Sequence, residues 1–174
     1  MNDELTAVDI QKMQEELEYR RIELRPKLIE DVKTAREFGD LSENFEYKSA
    51  KREKNRNDSR IRYLERMIKT AKVIDVRSNA DEIGLFDKVT IYIEEDDEEQ
   101  TIELVTTLRQ NALKGLISKE SPVGKAVLGH KVGDRVTVQV NENYSYDIVI
   151  RAVEKGQDDA SLPISSYCQR WILW

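Results

Sequence analysis

The sequence predicts an α+β protein, in which a long antiparallel helical hairpin precedes a small domain built on an antiparallel β-sheet. Apolar residues recur at helical spacing through most of the first 72 residues, and they alternate with polar residues in several short segments after residue 83. We expect a coiled-coil hairpin over residues 1–76, a linker at 77–82, the sheet domain at 83–155 and a tail at 156–174.

The hairpin is predicted from two apolar stripes separated by a short break. The first helix should run from Thr6 to about Glu37, and the second from about Leu41 to Lys72. Pro26 lies inside the first helix, where it removes one hydrogen bond and is expected to bend the helix. Helices of this length, roughly 45 Å each, must run antiparallel when so short a loop joins them.

The composition narrows the class of protein. The chain has 174 residues, of which 39% are hydrophobic and 36% charged, and such a charged fraction favours long solvated helices. No apolar segment approaches the roughly 18 residues of a transmembrane helix, and the N-terminus lacks the features of a signal peptide. A single cysteine, Cys168, excludes an internal disulfide. We therefore expect a cytoplasmic protein without a membrane segment.

The charge is unevenly distributed along the chain. Residues 1–78 contain 18 basic and 17 acidic side chains, whereas residues 79–174 contain 10 and 17, and the net charge is −6. Bulk electrostatics therefore disfavour binding to nucleic acid. The basic run "KREKNRNDSR", Lys51 to Arg60, leaves two interpretations open: a solvated helix face, or a patch that faces phosphate.

The stretch "EFGDLSENFEY" between the helices carries four acidic residues: Glu37, Asp40, Glu43 and Glu46. Asp40 is expected to cap the second helix, and Glu43 completes a D-x-x-E capping box. Capping explains two of the four acids only, and like charges at one end of a hairpin repel each other. Asp40 and Glu43 are also oxygen ligands of the kind Mg²⁺ prefers, too few to hold the ion alone but able to complete another protein's site.

Two segments resemble one known family. The stretch "AREFGDLSENFEYKSAK", Ala35 to Lys51, closely resembles the tip signature of the bacterial GreA/GreB transcript cleavage factors, and "SPVGKAVLGHKVGD", Ser121 to Asp134, resembles their C-terminal signature. The resemblance covers about residues 5–153. It implies a hairpin that enters the secondary channel of RNA polymerase and an FKBP-like C-terminal domain that docks at the channel rim.

The resemblance also implies roles for individual residues. Asp40 and Glu43 match the two tip acids that share a Mg²⁺ ion with the polymerase, which then cleaves RNA whose 3′ end has backtracked. The chain itself is then not an enzyme, binds no cofactor tightly and is expected to be a monomer. The other residues assigned by resemblance are Glu37, Glu46 and Tyr47 as tip support, Lys48, Lys51 and Arg52 as RNA-facing basic residues, and Ser121, Pro122 and Gly124 as polymerase-docking residues.

The sequence departs from the family's usual pattern at several places. Phe45 stands where a small residue is usual, "TTLRQNALKG" replaces a common acidic segment, and the tail beyond Gly156 has no family counterpart. Three alternatives remain open: a related inhibitor that occupies the channel, a prolyl isomerase of the FKBP-like type, and a plain coiled-coil adaptor. The apolar end of the tail, Ile164 to Trp174, would either pack on the sheet or bind a partner.

Overall fold

The computed structural model describes residues 4–37, 44–74, 79, 81–158 and 160–164. Within these residues the chain forms two compact units. One unit comprises residues 10–71, and the other comprises residues 4–9 together with the chain from residue 72 onward. Among the described helices, none combines the length and the apolar character that crossing a membrane requires.

The first unit is the predicted helical hairpin. Helix α1 (Ala7–Tyr19) continues through a π-helical turn (Arg20–Leu24) into α2 (Arg25–Glu37), and α3 (Phe45–Thr70) packs against α2. The irregular turn immediately precedes Pro26, which has no N–H to donate. The Arg25 N–H donates to the carbonyl of Arg20, five residues earlier, which is the hydrogen bond of a π-helix. A π turn therefore precedes Pro26 in the first arm, and the predicted bend of the helix stays a prediction.

Apolar side chains from both arms form the hairpin core. Its middle is different, since Asn57 is buried there with only 3% of its surface exposed. The basic run from Lys51 to Arg60 therefore contains one buried polar residue among partly and fully exposed ones. The buried apolar residues of the hairpin are Met13, Ala35, Ile61, Leu64 and Met67.

The second unit contains a five-stranded sheet. Its strands are β3 (Lys88–Ile93), β4 (Glu98–Val105), β5 (Leu116–Ser118), β6 (Arg135–Asn141) and β7 (Tyr144–Glu154), in the order β5-β4-β3-β7-β6. All neighbours are antiparallel except β4 and β5, which are parallel. The predicted antiparallel sheet is thus confirmed, and β5, a strand that the sequence did not predict, adds one parallel pair at its edge.

One face of this sheet carries the core of the second unit. Alternation along β3 buries Val89 and Ile91, as the sequence predicted. The short helix α4 (Pro122–Val127) packs against β6 and contributes Val127. The buried core residues are Ile83, Val89, Ile91, Ile102, Leu104, Val127, Val136, Val138, Ile148 and Ile150.

A small parallel sheet adds the start of the chain to the second unit. Strand β1 (Glu4–Leu5) pairs with β2 (Lys72–Val73), where the sequence predicted helix as far as Lys72. Leu5 is fully buried, and Lys119 contacts the Glu4 carboxylate. Glu4 and Lys72, which pair in this sheet, lie 68 positions apart in the sequence. No local sequence pattern could therefore predict their pairing.

Candidate functional site

The acidic loop joins α2, which ends at Glu37, to α3, which begins at Phe45. Asp40 and Glu43, the two residues predicted to assist catalysis, lie outside the described residues. The flanks of the loop are described on both sides.

Asn44 is the N-cap of α3 and also bonds the end of α2. Its side-chain oxygen accepts a hydrogen bond from the Tyr47 N–H at 2.9 Å, and its Nδ2 donates to the Ala35 carbonyl at 2.8 Å. The first bond satisfies an orphan amide at the start of α3, and the second satisfies a carbonyl in the last turn of α2. Helix α3 therefore begins four residues later than expected, and its cap is Asn44. The predicted capping box of Asp40 and Glu43 lies outside the described residues.

The predicted supporting residues flank the loop on both helices. Glu37, the last residue of α2, and Glu46, in the first turn of α3, are exposed, and Tyr47 is half-buried. The Lys51 ammonium lies 5.7 Å from the centre of the Tyr47 ring, one helical turn away. This distance permits a cation–π interaction, which favours a fixed position for the tyrosine ring.

The structure divides the basic run of α3 into two parts. Lys48, Lys51 and Arg52, the residues predicted to face RNA, are exposed. Farther from the loop, Lys54 pairs with Asp58 at 2.8 Å and Arg56 with Glu53 at 2.7 Å. The hydrogen bond from Lys54 is the main cause that lowers the pKa of the Asp58 carboxyl. These ion pairs neutralise Lys54 and Arg56, in the part of the basic run farther from the acidic loop.

A partly buried polar layer crosses the hairpin near this basic segment. The Glu16 carboxylate accepts hydrogen bonds from Arg60 at 2.9 and 2.8 Å and from Arg20 at 2.6 Å. Asn57 accepts a bond from Arg20 at 3.0 Å. Burial alone would raise the pKa of Glu16, but the hydrogen bonds and charges of Arg60 and Arg20 outweigh it and hold that pKa below its ordinary value.

The predicted docking residues form the start of α4. Ser121 is the N-cap, and its hydroxyl accepts a hydrogen bond from the Gly124 N–H at 3.0 Å, while Pro122 occupies the first helical turn. A Cβ on Gly124 would lie 2.1 Å from the Ser118 carbonyl oxygen, so only glycine fits. These contacts explain the signature by local folding, and the docking role stays a prediction.

The second unit contains a buried ionic cluster that the sequence did not predict. The Arg109 side chain is fully buried and donates to Asp9 at 2.6 Å and to Asp158 at 2.7 Å. Its guanidinium lies 4.9 Å from the centre of the Phe86 ring, and Phe86 adopts a left-handed backbone with φ of 67°. Arg109 belongs to the segment "TTLRQNALKG", and Asp158 belongs to the tail. Two segments that depart from the family pattern therefore form an ion pair with each other.

The four aromatic residues that the structure describes in the second unit do not line one pocket. Phe86 packs beside Val105 and Leu116, and Tyr92 donates to Asp97 in an exposed hydrogen bond. The Tyr144 and Tyr146 rings contact each other in a tilted arrangement, with their centroids 5.9 Å apart. A prolyl isomerase requires an apolar pocket lined by such rings. The arrangement of these four rings gives that alternative no support.

The carboxylates of the acidic loop are the candidate ligands for a divalent metal ion in this chain. Within the described part of the chain, no three His, Cys, Asp or Glu side chains are grouped so that they could hold a metal ion. Carboxylates such as those of Asp40 and Glu43 have the oxygen donors that Mg²⁺ prefers, and one or two protein carboxylates are its usual share beside water and phosphate. The donor chemistry therefore fits a metal that a partner also binds.

Comparison with known proteins identifies the class. The family model "Transcription elongation factor, N-terminal" matches residues 4–73, and the model "Transcription elongation factor, GreA/GreB, C-term" matches residues 77–155. Both matches are in the order that the resemblance predicted. The two matched segments define a transcription elongation factor.

Individual relatives agree with this class. A transcription elongation factor GreA of Oenococcus oeni is 38% identical over 154 residues, which cover 88% of this chain and 95% of the relative. The GreA factor of Bacillus subtilis is 41% identical, covering 78% and 86% of the two chains. The chain belongs to the GreA/GreB family of transcription elongation factors. A solved structure of GreA factor homolog 1 from Thermus thermophilus is similar over 89% of this chain and all of that one, with 26% identity and a TM-score of 0.41.

Proposed function

We propose that this transcription elongation factor binds RNA polymerase, inserts its hairpin into the secondary channel and stimulates cleavage of backtracked RNA. The observation that carries the proposal is the acidic loop at the turn of a long helical hairpin, in a chain of the GreA/GreB family. Hydrolysis remains the activity of the polymerase, and the chain is a partner that completes its site.

In this proposal Asp40 and Glu43 supply carboxylate oxygens to a Mg²⁺ ion shared with the polymerase. Bound there, the ion lowers the pKa of a water molecule and stabilises the leaving oxygen of the RNA. The chain's own residues deliver and orient the two carboxylates. Asn44 fixes the ends of both helices beside the loop, and Tyr47, with Lys51 over its ring, fixes the first turn of α3.

The proposal also includes the RNA-facing and polymerase-docking residues that the resemblance implies. Lys48, Lys51 and Arg52 are exposed near the loop, where their charge attracts the phosphates of the RNA 3′ segment. Ser121, Pro122 and Gly124 present the start of α4 to the rim of the channel. The factor acts as a monomer in the cytoplasm, where it meets the transcribing polymerase.

The proposal is tested by RNA cleavage in a stalled elongation complex. The Asp40→Ala and Glu43→Ala variants should bind polymerase as the wild type does, while stimulated cleavage falls by about 100-fold or more, because a lost transition-state ligand acts on the chemical step. Glu30→Ala removes an exposed α2 carboxylate paired with Lys33 and serves as the matched control. It should cleave normally.

Three outcomes would contradict the proposal. Normal cleavage by the double variant Asp40→Ala/Glu43→Ala would remove the assigned chemistry and indicate a coiled-coil adaptor. A wild-type chain that slows RNA synthesis and releases no short RNA would indicate a channel-occupying inhibitor. Turnover of a proline peptide by the isolated wild-type chain would indicate an isomerase.

A further inference from the structure

A shallow groove lies between α2 and α3 on the side of the hairpin near the acidic loop. It encloses about 360 Å³. We call it the near-tip groove. Its principal lining residues are Leu28 and Asp31 from α2, and Phe45, Glu46, Ala50 and Glu53 from α3.

The floor of the near-tip groove is apolar and open to solvent. Phe45, the first residue of α3, keeps 80% of its surface exposed, while Leu28 and Ala50 are half-buried. Burying a phenylalanine side chain is strongly favourable, and a helix start offers no packing reason to place one there. The ring is therefore available to a partner.

The rim of the near-tip groove is acidic. Glu53 pairs with Arg56, whereas Asp31 and Glu46 make no ion pair with any residue that the structure describes. A groove with an apolar floor and free carboxylates is complementary to a long basic side chain. The aliphatic stem of such a side chain packs on the floor, and its charge meets the carboxylates and the face of the Phe45 ring.

We propose that the near-tip groove binds an arginine or lysine side chain of RNA polymerase inside the secondary channel. This inference rests on the proposed function, since the channel brings the groove against the polymerase. Two other occupants fit the charges less well. The carboxylates repel the phosphates of RNA, and pairing with a second copy through this face would bring two acidic grooves together.

The first test measures the affinity of variants for a stalled polymerase complex. Phe45→Ala should raise the dissociation constant about tenfold, because the apolar contact is lost. Alanine favours the helix at this position, so the variant should fold, and its helical circular dichroism verifies this. Asp31→Asn should weaken binding by about threefold and make the affinity less sensitive to salt.

Matched controls lie on α2, which contributes Leu28 and Asp31 to the groove, but outside the groove lining. Ile29→Ala removes an apolar side chain that is 43% exposed, and Glu30→Gln neutralises a neighbouring acid. Both should bind as the wild type does. If Phe45→Ala binds as tightly as Ile29→Ala, the proposed site is wrong, whether or not the wild type stimulates cleavage. If Phe45→Ala and Asp31→Asn bind more weakly than the wild type and the wild type does not stimulate cleavage, the groove is confirmed as a binding site and the proposed function is wrong.

A second test identifies the occupant. A photoreactive phenylalanine analogue placed at position 45 should crosslink, in the stalled complex, to a polymerase peptide that contains an arginine or lysine at or beside the point of attachment. A crosslink to RNA, or a crosslinked dimer of the factor, would overturn the assignment.

Discussion

Asn44 holds the two helix ends beside the acidic loop with a single side chain. The D-x-x-E pattern of Asp40 and Glu43 matches a capping box, yet the helix starts behind Asn44. The sequence also contains an asparagine three residues before Tyr47, and both patterns are compatible with a cap. What decides between them is the bond from Asn44 to the Ala35 carbonyl, a contact across the loop that a local pattern does not contain.

The Asn44→Ala variant should lower the free energy of unfolding of the hairpin by about 1–2 kcal/mol, since one cap and one cross-loop hydrogen bond are lost. Denaturant unfolding followed by helical circular dichroism measures this change. Asn55→Ala changes the same residue type at an exposed position inside α3 and should be neutral or slightly stabilising. Equal stability of the two variants would show that Asn44 contributes nothing to the loop.

At the scale of an element, the hairpin was predicted well because its signal is periodic. The apolar stripe placed both arms, and the run without apolar residues located the polar section. The hydrogen-bond partners within this section could not be predicted, because residues such as Glu16 and Arg60 lie 44 positions apart in the sequence. Strand β5 was missed for a related reason: three residues are too short to show alternation, and its parallel pairing depends on a distant strand.

The polar layer of the hairpin predicts a defined pH dependence. The pKa of Glu16 is lowered in the folded chain, so its stabilising contribution is complete above the ordinary value near 4.5 and is lost as the pH falls through the folded value. Glu16→Gln should therefore destabilise the hairpin by about 2 kcal/mol at neutral pH. This difference from the wild type should shrink as the pH falls below about 4.5.

The measurement is the free energy of unfolding of both proteins across this pH range. Glu15→Gln provides the control, because Glu15 is exposed on the same helix and contacts only Gln11 among the described residues. A difference between Glu16→Gln and wild type that stays constant at low pH would contradict the role assigned to the ionised carboxylate.

At the scale of the whole molecule, the second unit is larger than the sheet domain that the sequence predicted. It includes β1 and the first turn of α1, and it extends into the tail. The start of the predicted tail packs on this unit: the Gly156 N–H donates to the buried Asp87 carboxylate at 3.0 Å, and Leu162 packs beside Phe86. Tyr167 and Trp171–Trp174 lie outside the described residues, and Ile164 is half-buried.

The ionic cluster predicts that Asp158 stabilises the second unit although it lies beyond the family match. Asp158→Ala should lower the free energy of unfolding by about 2 kcal/mol, because the buried Arg109 loses the carboxylate of Asp158 and keeps that of Asp9. Asp158→Asn keeps an acceptor and should be affected less. Glu142→Ala, in the exposed turn between β6 and β7, is the control and should be neutral. An effect of Asp158→Ala no larger than this control would contradict the assignment.

The Arg109 cluster also defines which parts of this chain can be exchanged with a relative. A chimaera that transfers only residues 77–155 would place Arg109 in the core of a foreign chain without Asp9 and without Asp158. An arginine buried with neither counter-ion is strongly destabilising. The transferable module is therefore discontinuous in sequence: the first strand with the start of α1, the sheet domain, and the chain through Asp158 must move together.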